Sequence, residues 1–279
     1  MACLLFLLIF SFNHVKAYDT SPPLAKKWRL IYNEEFNEIS QKIWNQSYIN
    51  GRKTPIKGLN FFNPLNNQVK HGRLHLITKA DSYINKRQYQ QGFGILQTRK
   101  KENRLEKFYR YSSGAINSQN KFHFKYGYIE TAVKLPSVEG LNSAFWLMPE
   151  KSFKKSDSKI MEIDIFEQLS EWSHKKFSFS AHYLGKSKYL KSFNKKYKTK
   201  ENLTRDKFVK IGLYWKKDYL AWYLNGDKVC ELKSKEVMDI PAYIIFSGHV
   251  GGWAKTSKDY KNLPDSYVID YLRIWQEIE

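Results

Sequence analysis

The chain of 279 residues has only two cysteines, and that scarcity limits how it can be held together. Cys3 lies in an apolar N-terminal run, so a chain processed behind that run keeps Cys230 alone and has no internal disulfide. Stability then has to come from a packed core and not from covalent staples. Cys230 follows Val229 in a strand-like run and reads as a small packing residue, not a nucleophile. Long hydrophobic runs are also lacking. Leu4–Phe12 is too short to cross a hydrocarbon layer of about 30 Å, and no later segment is long and apolar enough to do so. Followed by Val15-Lys16-Ala17, it reads as a secretory leader over residues 1–17, although no Lys or Arg precedes it. The expectation is a secreted or periplasmic protein with no membrane span. There is no repeat and no Pro/Gly/Ser-rich linker after residue 25, so a short segment, 18–27, leads into one domain over 28–279. No long amphipathic helix is visible before the last third, where Glu231–Met238 has room for one or two helical turns.

Acidic residues are outnumbered: 47 Lys+Arg face 27 Asp+Glu, for a net charge of +20. A surplus of this size suits a polyanionic partner such as nucleic acid, an anionic membrane, or a sulfated or uronate polysaccharide. It equally serves to keep the chain soluble. No nucleic-acid recognition motif accompanies the charge, so nucleic acid is not expected as a partner. The protein is expected to be a monomer.

What the chain does have is short runs rich in aromatic and β-branched residues. Arg73–Thr78, Tyr126–Leu135, Phe177–Tyr183, Val209–Trp215, Leu220–Leu224 and Tyr267–Trp275 each alternate at least in part, as strands do. Asn225-Gly226 after Leu224 is a two-residue hairpin signal, and His71-Gly72 and Tyr126-Gly127 read as turns or bulges. Together these runs predict an all-β fold, an antiparallel β-sandwich. The most polar stretches, Lys86–Arg110 and Lys186–Arg205, read as long loops.

One of the strand-like runs breaks the pattern. Glu162-Ile163-Asp164-Ile165-Phe166-Glu167 sets three carboxylates among Ile, Ile and Phe. Burying unpaired charge is costly, and neighbouring acids repel and hold protons at raised pKa. Such a segment is either the edge of a solvated sheet or a site for acid/base chemistry. Alternate residues of a strand share a face, so Glu162 and Asp164 agree in direction while Glu167 has the wrong parity. A β-bulge near Ile165-Phe166 would restore it and place all three acids on one face. The two glutamate Cα atoms would then lie roughly 13 Å apart, with long side chains leaning toward each other over Asp164. A carboxyl gap of about 5 to 5.5 Å suits a retaining glycosidase.

Several further motifs occur in a familiar order. Asn33-Glu34-Glu35-Phe36-Asn37 opens the set. Tyr111–Ile116 and Tyr126–Glu130 follow, then Ala144-Phe145-Trp146-Leu147, the E-x-D-x-x-E run of Glu162–Glu167, Ser180–Tyr183 and Val268–Ile274. From Trp28 to Trp275 the chain resembles glycoside hydrolase family 16, the β-jelly-roll endo-glycanases. The resemblance implies a jelly roll with a concave substrate cleft. It implies Glu162 as nucleophile, Glu167 as general acid/base and Asp164 as assisting carboxylate, acting by double displacement with retention. No cofactor is then required for catalysis. It also points to Glu35, backbone around Gly72, and Asp270 as a structural calcium site found in some relatives.

Trp146 is expected in the sugar platform, because flat apolar sugar faces stack on aromatic rings. Trp172 and Trp253 lie in expected loops and are assigned binding roles, whereas Trp215, Trp222 and Trp275 lie in strands and are assigned to the core. His182 either contacts substrate and the acid network or is a satisfied core histidine. The bulged motif resembles the laminarinase, agarase, porphyranase and carrageenase branches. Laminarinases usually carry an Asn-Asn-Glu-Leu-Gln-Tyr-like segment where this chain has Asn60–Asn67, and the positive charge suits sulfate, for which Arg52, Lys53, Arg87 and Arg110 are loop candidates. The expectation is endo-hydrolysis of a β-galactan, sulfated or not, ahead of a β-1,3-glucan. The alternative is a glycan-recognition protein that binds on the same fold without cutting.

Overall fold

The computed structural model describes residues 21–49, 58–85, 107–150, 160–172, 175–184, 190–199, 207–255 and 259–279. The proposed leader, Cys3, Arg52, Lys53 and Arg87 lie outside these residues. Sixteen strands form among them, because the β-branched and aromatic runs alternate with turn residues. They are β1 (Trp28–Glu34), β2 (Asn60–Phe62), β3 (Asn67–Val69), β4 (Leu74–Asn85), β5 (Lys107–Ser113), β6 (Ala115–Asn117), β7 (Gly127–Lys134) and β8 (Leu141–Pro149). The rest are β9 (Ile160–Leu169), β10 (Lys176–Leu184), β11 (Leu190–Lys198), β12 (Val209–Lys216), β13 (Tyr219–Leu224), β14 (Asp227–Lys233), β15 (Ala242–Val250) and β16 (Asp265–Glu277).

These strands build two sheets, antiparallel apart from the parallel pair β2–β5. The larger runs β14-β13-β12-β7-β16-β4-β5-β2, with β1 on β16 and β3 on β4. The smaller runs β11-β10-β9-β8-β15-β6. The inward faces of both meet in one apolar layer. Phe145, Leu147, Ile163, Ile165, Phe166, Phe177, Phe179, Ile244 and Phe246 come from the smaller sheet. Ile129, Val133, Ile211, Leu213, Trp215, Trp222, Ile269 and Ile274 come from the larger. Each large apolar side chain so buried contributes about 1.5–3 kcal/mol, and among the described residues, whose one cysteine, Cys230, is free, this packing is what holds the fold. The fold is the expected all-β jelly-roll sandwich. Asn225 and Gly226 both take positive φ, 52° and 91°, and close the β13–β14 hairpin as their sequence indicates.

Two local expectations are corrected. Glu231–Met238 forms no helical turn: through Lys233 it continues β14, held by pairing to β13, and a turn follows. The polar stretch Lys186–Arg205 contains the edge strand β11. Lysines hide its alternation. Phe193 and Tyr197 point inward, and Phe193 stacks on Trp222 with ring centroids 5.4 Å apart. The opposite face carries Ser192, Asn194, Lys196 and Lys198, all exposed.

The feature that positions the site is a bulge in β9. Against β8, Phe145 pairs with Phe166, and the next residue, Trp146, pairs with Asp164, so Ile165 is the extra residue. Against β10, Ser178 pairs with Glu167 and Ser180 with Asp164, which brackets the same irregularity. Both Ile165 and Phe166 are fully buried. Two consecutive side chains in the core would be impossible in a regular strand. The backbone carbonyl of Asp164, next to the extra residue, accepts a 2.9 Å hydrogen bond from the indole Nε1–H of Trp222 in the other sheet. Replacing Trp222 with Phe removes that donor while keeping an aromatic ring. Leaving a buried carbonyl unpaired costs about 1–3 kcal/mol, so urea unfolding is expected to show a loss of that size. A loss below about 0.5 kcal/mol would show that the bulge does not depend on this bond.

Candidate active site

Strand register carries the three acids of β9 to the outer face of the smaller sheet. Glu162 lies opposite His182, which lies opposite Ser192 of β11. Asp164 lies between Trp146 and Ser180, and Glu167 between Ala144 and Ser178. Glu162, Asp164 and Glu167 therefore share one face, while Ile163, Ile165 and Phe166 fill the core.

His182 organises this cluster. Its Nε2 is 2.9 Å from Asp164 Oδ2 and 4.0 Å from Glu162 Oε1, and its Nδ1 is 2.7 Å from Ser192 Oγ. Burial works against the imidazolium. The hydrogen bond to Asp164 and the charges of Asp164, Glu162 and Glu167 outweigh it and push the pKa up to about 9. As an imidazolium, His182 donates from both nitrogens. Burial, and next the charge of Asp164, raises both Glu162 and Glu167 above the usual carboxylate range. His182 opposes the rise in both, and Asn142 opposes it in Glu167 through an amide 3.4 Å from Oε1. Glu162 and Glu167 are coupled, and a proton is retained between them near neutral pH.

Glu162, Asp164 and His182 each bring a ligand-type atom within 4.8 Å of the others. Both ring nitrogens of His182 are committed to hydrogen bonds and the ring is charged, so the trio fits proton chemistry and not a metal. The expected calcium site does not fit a cation either. Asp270 Oδ1 accepts a 2.7 Å ion-paired bond from Arg73 Nε, and Glu35 Oε1 one of 2.7 Å from Arg273 Nη2. Calcium sites gather oxygen ligands free to coordinate. Here a guanidinium already faces each carboxylate.

The expected sugar-binding residues divide. Trp146 shares the face of the acids but is only 6% exposed. Its Nε1 donates to Ser247 Oγ at 3.1 Å, and Tyr48 covers it with ring centroids 6.1 Å apart. It supports the floor of the site instead of offering an open platform. Tyr48 stacks on Phe62 at 4.6 Å, and the His249 ring stands edge-on to both. Burial holds His249 down to about 4, so it is neutral, and its Nε2 meets Ser247 Oγ at 2.9 Å. This aromatic wall was not foreseen, since Tyr48 and Phe62 reach the site from distant segments. Trp172 ends a short 3-10 turn directly after β9 and is half-buried. Trp253 is 74% exposed in the loop after β15. That loop is tied to the Trp172 turn, because Lys255 N–H donates to Glu171 Oε1 at 2.9 Å. Trp215, Trp222 and Trp275 lie buried, as expected. Asn142, Ser192 and Asn194 were also missed: they stand beside the acids only through strand pairing, which no local motif signals. Asn194 donates to Ser180 Oγ at 2.7 Å and Ser178 Oγ at 3.0 Å.

Two sheets with three carboxylates clustered around a bulge on an outer face define the architecture of a jelly-roll glycoside hydrolase. The family model described as Glycosyl hydrolases family 16 matches residues 79–273, and the chain belongs to that family. It is 25% identical over 290 residues to the kappa-carrageenase of Pseudoalteromonas carrageenovora, covering 94% of this chain and 69% of that protein. It is 25% identical over 186 residues to glucan endo-1,3-beta-glucosidase A1 of Niallia circulans. That match covers 61% of this chain, which spans only 27% of the length of that relative. The laminarinase catalytic domain of Thermotoga maritima superposes with a TM-score of 0.71 at 23% identity, over 91% of this chain and 100% of that one, and so shares the fold.

Two measurements check this electrostatic picture. NMR titration of the His182 ring is expected to give a midpoint near about 9, and Asp164→Asn to lower it by at least about one pH unit. A midpoint at the ordinary imidazole value in both proteins would remove the ionic pair. Excess EDTA is expected to leave the thermal midpoint unchanged, and a fall of several degrees would restore the calcium expectation.

Proposed function

We propose that the protein is a retaining endo-glycosidase that hydrolyses internal β-linkages of a polysaccharide. The observation that carries this reading is the bulge at Ile165, which sets Glu162 and Glu167 on one face around Asp164. In the first step the Glu162 carboxylate attacks the anomeric carbon, and Glu167 gives its proton to the departing glycosidic oxygen as that C–O bond breaks. In the second, Glu167 takes a proton from water, whose oxygen attacks the anomeric carbon and releases Glu162. The raised pKa of Glu167 keeps it armed as an acid near neutral pH. Burial raises Glu162 as well, and the imidazolium 4.0 Å away opposes that rise; the two glutamates are coupled, so when Glu162 is ionised to attack, the shared proton sits on Glu167. Asp164 holds that imidazolium in place and stands between the two glutamates.

For the substrate we favour a β-galactan, sulfated or not, over a β-1,3-glucan. The surplus of basic residues supports an anionic glycan. The segment Asn60–Asn67 serves the fold: Asn60 Oδ1 accepts from Val250 N–H, Asn66 donates to Ile77 O and Ser112 Oγ, and Asn67 to Ala115 O. The apolar run Leu4–Phe12 supports export, and no described helix is long and apolar enough to cross a membrane.

The test is a panel of laminarin, lichenan, agarose, porphyran, κ-carrageenan and mucin-type glycans, with products sized. Cleavage of at least one galactan into oligosaccharides is expected, with activity reduced by roughly 10³-fold or more in Glu162→Ser. Full activity in that variant would overturn the mechanism, and release from laminarin alone would overturn the galactan preference.

A further inference from the structure

A second feature of the same face lies at the end of β10 and β11. Lys196 stands opposite Ser178, which stands opposite Glu167, so Lys196 shares the face of the acids two strand spacings away, roughly 10 Å. One pleat further, Lys176 and Lys198 face each other directly across the strand pair. The Trp172 indole lies beside them, with Lys176 Nζ 4.9 Å and Lys196 Nζ 5.3 Å from its ring centroid. These residues and Tyr197 line a pocket of about 300 Å³.

Such a gathering has a free-energy cost. Like charges directly opposite in a strand pair repel. Among the described residues none of the three lysines has a carboxylate within ion-pair distance. The electron-rich face of Trp172 offsets part of the repulsion, and a bound anion would offset the rest. Lysines on an edge strand also guard against edge-to-edge pairing, but that role does not require them to converge on an indole. An indole beside ammonium groups matches a sugar ring that carries a negative substituent: the ring meets the aromatic surface while the substituent meets the lysines.

We propose that Trp172, Lys176, Lys196 and Lys198 form a subsite for a sugar residue bearing an anionic substituent, a sulfate ester or a carboxylate, in the same glycan that Glu162 and Glu167 cleave. The assignment rests on the hydrolase reading above. It places the subsite on β10, β11 and the turn after β9, and on residues other than the Arg and Lys candidates named from sequence.

The experiment is affinity electrophoresis of the Glu162→Gln protein in gels containing κ-carrageenan, chemically desulfated κ-carrageenan, or a polyuronate. Stronger retardation by an anionic glycan than by the desulfated one is expected. The triple change Lys176→Ala, Lys196→Ala, Lys198→Ala is expected to reduce that affinity ratio about tenfold, and the triple Lys→Arg protein to restore it. A greater loss on carrageenan assigns the substituent as sulfate, and a greater loss on polyuronate assigns it as carboxylate. A ratio that the alanine changes leave unmoved, or no retardation of the parent protein by either anionic glycan, would overturn the subsite. Wild-type protein tested in parallel for cleavage keeps the two readings apart. Absence of cleavage on every glycan counts against the hydrolase, while the retardation ratio still judges the pocket.

Discussion

Everything at the site depends on one extra residue in a strand. A regular β9 would send Glu167 into the core beside Phe145 and Phe177, where a carboxylate without a partner is too costly to keep. The bulge at Ile165 reverses the parity, so Ile165 and Phe166 both go inward and Glu167 comes out beside Asp164. An irregularity of this kind leaves backbone groups outside the ladder. Trp222 reaches across the sandwich to accept that duty for the Asp164 carbonyl, and Phe193 of the edge strand stacks on the same indole. The core and the face that bears the acids are therefore coupled through Trp222. A packing residue in one sheet sets the backbone that aims the acids in the other.

The second constraint is electrostatic. Three acids on one face repel, and partial burial raises the cost of their charges. The structure answers with one cation, the His182 imidazolium, placed between Asp164 and Glu162 and anchored by Ser192. The charge balance is left incomplete, so a proton remains in the cluster near neutral pH. That residual proton is what a general acid requires. The lysines of β10 and β11 add a positive field along the same face, as the proposed anionic substrate requires.

Much of this was legible in the sequence. The three carboxylates in an apolar run, and the parity argument for a bulge near Ile165-Phe166, put the acids on the face where the structure has them. The strand runs and the Asn225-Gly226 hairpin were plain because alternation and positive-φ residues leave local marks. What was not legible depends on pairing between distant segments. Asn142 meets Glu167 through the β8–β9 register, and Tyr48, itself stacked on Phe62, meets Trp146 from far along the chain. The edge strand β11 was hidden because lysines occupy its solvent face. The arginine partners of Asp270 and Glu35, Arg73 and Arg273, were hidden because each is remote in sequence from the acid it pairs with.

The central claim is that the bulged strand places Glu162 and Glu167 for double displacement. The most direct test is the anomeric configuration of the first-formed product, followed by ¹H NMR during cleavage of a β-linked glycan. The account predicts that the β anomer of the new reducing end forms first, with the α anomer growing in later by mutarotation. An α anomer formed first would mean inversion by a single displacement, and the roles assigned to Glu162 and Glu167 would be wrong.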